Sequence, residues 1–194
     1  NKILGWVDKS PGRLHLVTNG ILLTPEITDT LLGFSGNHTI NVSLNAVQPE
    51  TFHAINGVDL LEKVHANLLH FLSERKRKNR HENWTVIVSA VILEENRREM
   101  ADFVAHWQNI LQQSGLTAIS LNGHPVQTHN QITLLTELEN PNAPARFRWV
   151  LRSLQIQDPH WPLIGLEEID DVLLGEKKPG DLTCLRLEHL PEQE

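Results

Sequence analysis

Apolar and polar positions along the chain alternate between a strand-like and a helix-like period. Leu14 to Val17 is a short apolar run closed by Thr18-Asn19-Gly20, which reads as a buried strand ending in a turn. Thr24-Pro25-Glu26 is a helix start: Thr24 caps, Pro25 takes the first helical position and Glu26 meets the positive end of the dipole. That helix should stop near Gly33. Thr39 to Leu44 is β-branched and apolar, hence a second strand. From about Asp59, Leu61, Val64, Leu68, Phe71 and Leu72 recur at helical spacing. Trp84 to Leu93 is the clearest strand, and a second amphipathic helix carries Met100, Phe103, Val104, Trp107, Ile110 and Leu111 before Gly115 ends it. Ala118 to Leu121 is a further short strand, closed by Asn122-Gly123.

The order βαβαβαβ favours a parallel sheet with right-handed crossovers, and the near-continuous apolar strands need helices as cover. Several strand-like runs end in small polar residues: Val17-Thr18-Asn19-Gly20, Asn41-Val42-Ser43-Leu44-Asn45 and Val86 to Ile92 running into Asn96. Phe52-His53-Ala54-Ile55-Asn56-Gly57 is grouped with them. After Gly123 the alternation fails. His124 to Ala145 is polar, contains three prolines and reads as a long loop. Arg146 to Ile156 fits helix or strand, Pro159 to Pro162 a turn, and Leu166 to Leu174 a short helix. The chain therefore divides at residue 123, with 1–123 regular and 124–194 an irregular C-terminal extension.

At 194 residues, with 40% hydrophobic and 21% charged content, the chain can build one domain with a core. No apolar run approaches the roughly 20 residues that span a bilayer. The formal charge of −7 argues against nucleic acid as a partner of the whole chain. The sequence opens Asn1-Lys2-Ile3 and its one methionine is Met100, so a piece of a longer protein is expected, and its single cysteine fits a reducing, cytoplasmic compartment. A lone cysteine, Cys184, excludes an internal disulfide framework and any multi-thiolate zinc site. The run Arg75-Lys76-Arg77-Lys78-Asn79-Arg80 reads as a solvated helix end rather than a nucleic-acid patch. His65/His70 and His124/His129 are each five apart, a spacing that suits no shared metal on one helical face, so scattered surface histidines are expected.

Ligands of open α/β sheets and β/α barrels sit at the carboxyl ends of the strands. Thr18, Asn19, Ser43, Asn45 and Ser89 place hydroxyls and amides at or near three such ends, where together they can hold a polar ligand. The plainer alternative makes Asn19 and Asn45 turn residues and leaves Ser43 and Ser89 as serines tolerated in strands.

Taken in order, these segments resemble the middle of a radical SAM enzyme. Thr18-Asn19-Gly20 is similar to the end of that family's third barrel strand, and Asn41-Val42-Ser43-Leu44-Asn45 to its fourth, usually written Val-Ser-Leu-Asp. Phe52 to Gly57 with the Leu61-to-Phe71 helix resembles the segment that follows in the branch of the molybdenum-cofactor cyclase and the SPASM-domain enzymes. Val86 to Ile92, with Asn96 and Glu99-Met100, resembles the fifth strand and its helix; Ala118 to Asn122 would be the sixth. The resemblance implies a partial (β/α) barrel of parallel strands with helices on the outer face. It also implies S-adenosylmethionine as cofactor: Ser43 would bond its ribose or methionyl part, Leu121 would pack near the adenine, and Ser89 would face the lumen. Asn45 stands where the family commonly has Asp. Val17 replaces a threonine, and Ile87 a cationic contact to the cofactor carboxylate.

The family's Cys-x-x-x-Cys-x-x-Cys, which holds a [4Fe–4S] cluster, precedes the third strand. Thirteen residues precede Leu14 here, and none is cysteine. The resemblance thus implies a fragment of an enzyme that reductively cleaves S-adenosylmethionine to abstract a substrate hydrogen atom, with no cluster or cleavage activity in this chain alone. The parent would use an electron donor and a small-molecule or peptide substrate. Cys184 is an inert thiol by default, or the first cysteine of an auxiliary-cluster domain beyond Glu194. The alternative to the enzyme is a non-catalytic α/β binding or interaction domain.

Overall fold

The computed structural model describes residues 12–115, 117–121, 129–136 and short pieces between 140 and 154. The Pro159 turn, the Leu166 helix and Cys184 lie outside the described residues. Five strands, β1 (His15–Thr18), β2 (His38–Ser43), β3 (Trp84–Ile92), β4 (Thr117–Leu121) and β5 (Asn130–Thr136), form one sheet in which every pairing is parallel. Among the described residues four helices of eight residues or more accompany them: α1 (Pro25–Gly33), α2 (Pro49–Asn56), α3 (Leu61–Arg77) and α4 (Met100–Gln112). The α/β class and the parallel pairing follow the order read from the sequence, and the sheet is open.

Two expectations are corrected. Phe52 to Gly57 belongs to a helix, not to a strand end. Pro49 occupies the first turn, and Gly57 ends the helix at φ 70° with its N–H donating to the His53 carbonyl. A left-handed C-terminal residue is where glycine costs least, and a Pro-to-Gly frame eight residues apart is a helical signature. Likewise, the His124–Ala145 loop contains β5, which enters the sheet beside β3. The strand order is β1-β2-β3-β5-β4, so β4 is an edge strand one place away from β3. Within 145–154 the described residues are helical.

One face of the sheet is apolar. The strand residues in the hydrophobic core share one face: Val42, Val88, Ile132 and Ile119 form one continuous rung through the register. The helices cover this side through Leu31, Val64, Leu68, Phe103 and Trp107, all buried. α1 packs on α3, and rings from α3 and α4 meet at His65 and Trp107, 4.9 Å between centroids. Gly20 lets the turn after β1 press into this layer: at φ 78°, a Cβ there would stand 2.8 Å from Val64 Cγ1.

The layer is tied at the amino-terminal edge of the sheet by Arg75, on α3. The sequence placed it in a solvated basic run, yet it is fully buried. Its guanidinium donates to the carbonyls of Trp84 (2.8 Å), His129 (3.1 Å) and Ser114 (3.2 Å), to Ser114 Oγ (3.1 Å) and to Asn130 Oδ1 (2.7 Å). These partners come from the start of β3, the start of β5 and the end of α4. Asn130 then donates to the Leu111 carbonyl at 2.8 Å, so the exposed end of the α4 dipole faces this cation. Burial pushes the Arg75 pKa down to about 10, which leaves it charged at neutral pH. The next arginine on the helix, Arg77, is exposed and pairs with Glu74.

Removing Arg75 strands several buried oxygens at once. Arg75→Met should cost about 3 kcal/mol or more of stability, while Arg77→Met should leave the urea midpoint nearly unchanged. Equal midpoints for the two variants in urea denaturation would remove Arg75 as the tie.

Candidate functional site

The face opposite the helices is polar. Ser43 on β2 is in register with Ser89 on β3, and Ser89 with Thr133 on β5; the backbone register continues to Ser120 on β4. This hydroxyl rung lies directly after the apolar Val42–Val88–Ile132 rung, because successive side chains on a strand point to opposite faces. One step toward the amino ends, Asn41, Ile87 and Gln131 form the preceding row on the same face. Ser43 closes β2, whereas Ser89 and Thr133 each stand three residues before the carboxyl ends of β3 and β5.

Within the rung, Ser89 is buried and its hydroxyl donates to Asn41 Oδ1 at 2.7 Å. Gln131 Nε2 donates to Thr133 Oγ1 at 3.0 Å, with both residues buried. Ser43 is half-buried, and among the described residues its hydroxyl takes part in no hydrogen bond. Among the described hydroxyls of the rung, it is the one without a partner inside the fold.

The other residues expected at the site are occupied elsewhere. Thr18 Oγ1 accepts from Gly20 N–H and Asn19 Oδ1 from Ile21 N–H, so both shape the turn after β1. Asn45 sits just past β2 at φ 61°, a left-handed conformation that Asn tolerates better than most residues. Its Oδ1 accepts from Val91 N–H (2.9 Å). Its carbonyl accepts from Asn96 Nδ2 (2.8 Å), which also donates to the Val91 carbonyl (2.8 Å), while Asn96 Oδ1 accepts from Leu93 N–H (2.8 Å). Asn45 and Asn96 thus clasp the carboxyl ends of β2 and β3 to each other. Leu121 pairs with Leu134, one residue beyond the Ser120–Thr133 pair, and so belongs to a different rung from Ser43 and Ser89. The structure brings Ser43 and Ser89 side by side and sets Asn45 at their margin.

Glu99 completes the margin. It is buried, and its Oε1 accepts from Val47 N–H at 3.0 Å, just ahead of α2, whose cap residue Gln48 makes no side-chain cap bond. Burial pushes its carboxyl pKa upward against the lowering effect of bonds from Val47, Thr51 and Gln48. Gln131 and Thr133 escaped the sequence reading because their segment looked like loop. The signal that finds them is the period-two alternation of Gln131, Thr133 and Leu135 against Ile132 and Leu134.

Among the described residues no group of three His, Cys, Asp or Glu side chains could hold a metal ion. No helix among them is long and apolar enough to cross a membrane. No protein-family model and no curated protein matches the chain.

The clasp has a direct test, because Asn96 is fully buried and uses both ends of its amide. Asn96→Ala should lose about 2 kcal/mol. Asn96→Asp, nearly the same shape, should lose at least as much at pH 7, since it exchanges two donated bonds for a carboxylate facing two carbonyls. Thermal denaturation measures both, and an Asp variant as stable as the parent would show that the donated bonds do not hold the strand ends.

Proposed function

We propose that this sheet is the strand-three-to-six wall of a radical SAM-type barrel, and that its polar face holds S-adenosylmethionine in a longer parent enzyme. The observation that supports this most is the hydroxyl rung Ser43–Ser89–Thr133, which reaches the carboxyl end of β2 and is backed by an apolar, helix-covered face. A barrel wall needs that division, because its outer face meets helices and its inner face meets the ligand. In this reading Ser43 donates to, or accepts from, the ribose or methionyl part of the cofactor. Ser89 holds Asn41 in place beside it, and Asn45 fixes the strand end. When bound with its cluster, S-adenosylmethionine would supply a radical that abstracts a substrate hydrogen atom.

The residues of this chain do not fit the [4Fe–4S] cluster itself. Three thiolates are required and one cysteine is present. In this reading the cluster ligands, the electron donor and the substrate, a small molecule or peptide, belong to the parent, in the cytoplasm. The chain contributes binding surface.

A specific observation favours a second reading, a non-catalytic α/β binding or interaction domain. β5 intervenes between β3 and β4, whereas a barrel built in chain order keeps consecutive strands adjacent. The coding frame upstream of Asn1 separates the two. A Cys-x-x-x-Cys-x-x-Cys triplet is expected for the enzyme, and an open frame without it selects the binding domain.

Ser43→Ala in the parent should weaken S-adenosylmethionine binding roughly tenfold, the effect of one lost hydrogen bond of about 1–2 kcal/mol. The melting temperature should stay nearly constant, because the hydroxyl bonds nothing within the fold. Calorimetric titration and a thermal melt on the same variant decide the matter. Unchanged affinity would take Ser43 out of the site.

A further inference from the structure

On the helix-covered side, two histidines from different helices lie face to face. His65 on α3 and His106 on α4 have ring centroids 5.2 Å apart with 20° between their planes. Trp107 closes the cluster edge-on, 4.9 Å from His65 and 5.1 Å from His106. His65 Nε2 is buried and has no hydrogen-bond partner. Stacked rings do not converge their nitrogens on one point, so this is no metal site.

We infer that the His65–His106 stack is an acid-sensitive latch between α3 and α4, closed when both rings are neutral and opened when they are protonated.

An imidazolium must carry N–H groups on both nitrogens, and His65 Nε2 has no acceptor within the seam. Protonation therefore buries an unpaired donor and sets a cation against a second ring that also charges in acid. Separation of the helices relieves both costs by admitting water. Among the described residues no carboxylate bonds either ring. The strand residues on the helix-covered face of the sheet, Val86, Val88, Ile132 and Leu134 among them, are apolar. Glu62 and Asp102, one turn away on α3 and α4, are exposed. α1, which also packs on α3, carries Glu26 and Asp29, whose charge partners include His70 and Lys78.

Burial first, then the neighbouring His106, depress the His65 pKa from 6.5 to about 4, and burial lowers that of His106. The sign follows. A histidine with a depressed folded pKa contributes stability that is complete above the unfolded value and lost as pH falls from about 6.5 toward 4.

The test is a pH titration of the chain by nuclear magnetic resonance, with amide exchange corrected for intrinsic rate. The His65 ring should titrate at least one pH unit below 6.5, and in His106→Gln, an exposed substitution that should fold normally, its midpoint should rise. Amide protection in α4 should fall at least tenfold between pH 7 and pH 4.5, while α1 keeps its protection. His65→Phe should abolish that pH dependence; should it fail to fold, the His106→Gln titration and the α4-against-α1 comparison still decide. An ordinary His65 midpoint, or simultaneous loss of protection in both helices, would overturn the latch.

Discussion

A buried cation without a counter-ion constrains this fold more than any other single group. Arg75 can remain charged inside the protein only if neutral oxygens surround it. Those oxygens come from Trp84, His129, Ser114 and Asn130. Because His129 and Asn130 open β5, satisfying Arg75 requires β5 to start beside β3. Because Ser114 ends the turn after α4, the same requirement fixes where α4 stops and leaves β4 outside β5. The non-sequential strand order and the buried guanidinium are thus two views of one arrangement.

That arrangement also serves the opposite end of the sheet. Once β5 lies beside β3, Thr133 falls in register with Ser89, and Ser89 already stands opposite Ser43. The rung would stop at β3 without it. A hydrogen-bonding tie at the amino ends of the strands therefore extends the hydroxyl row across to β5, with rigid parallel pairing carrying the register between them.

Much of this was legible in the sequence, for a physical reason. β2, β3, α1, α3 and α4 bury apolar residues at the spacing of their own secondary structure, so pattern and packing agree. Thr24 and Pro25 begin α1 as expected, and Thr24 Oγ1 accepts from Ile27 N–H. Ser43 and Ser89 were found because a hydroxyl at a parallel strand end is visible as pattern. What escaped was polarity satisfied at long range. Asn130, Gln131 and Thr133 look like loop residues until their partners are known, and Asn130 is bonded by Arg75, 55 positions away. Arg75 itself looks like one more surface cation in a basic run. A local pattern cannot distinguish a solvated polar group from one whose partner is distant in sequence.

Two titratable groups, Glu99 buried just ahead of α4 and His65 half-buried on α3 against α4, respond to acid in opposite directions. Burial raises the Glu99 carboxyl, so the fold prefers it protonated; its contribution is complete below about pH 4.5 and declines as pH rises through its folded value. His65 has the reverse preference and loses its contribution as pH falls toward 4. Glu99 meets the clasp beyond β2 and β3, whereas His65 holds the flank of α4 to α3. Mild acid therefore does not loosen the domain evenly. It relieves the ionisation cost at the strand ends, where Asn45 and Asn96 hold the margin of the polar rung, while it loads the helical seam behind them. A sheet whose polar face stays ordered as one covering helix releases is the consequence of placing Glu99 at the start of α4 and His65 in the seam between α3 and α4.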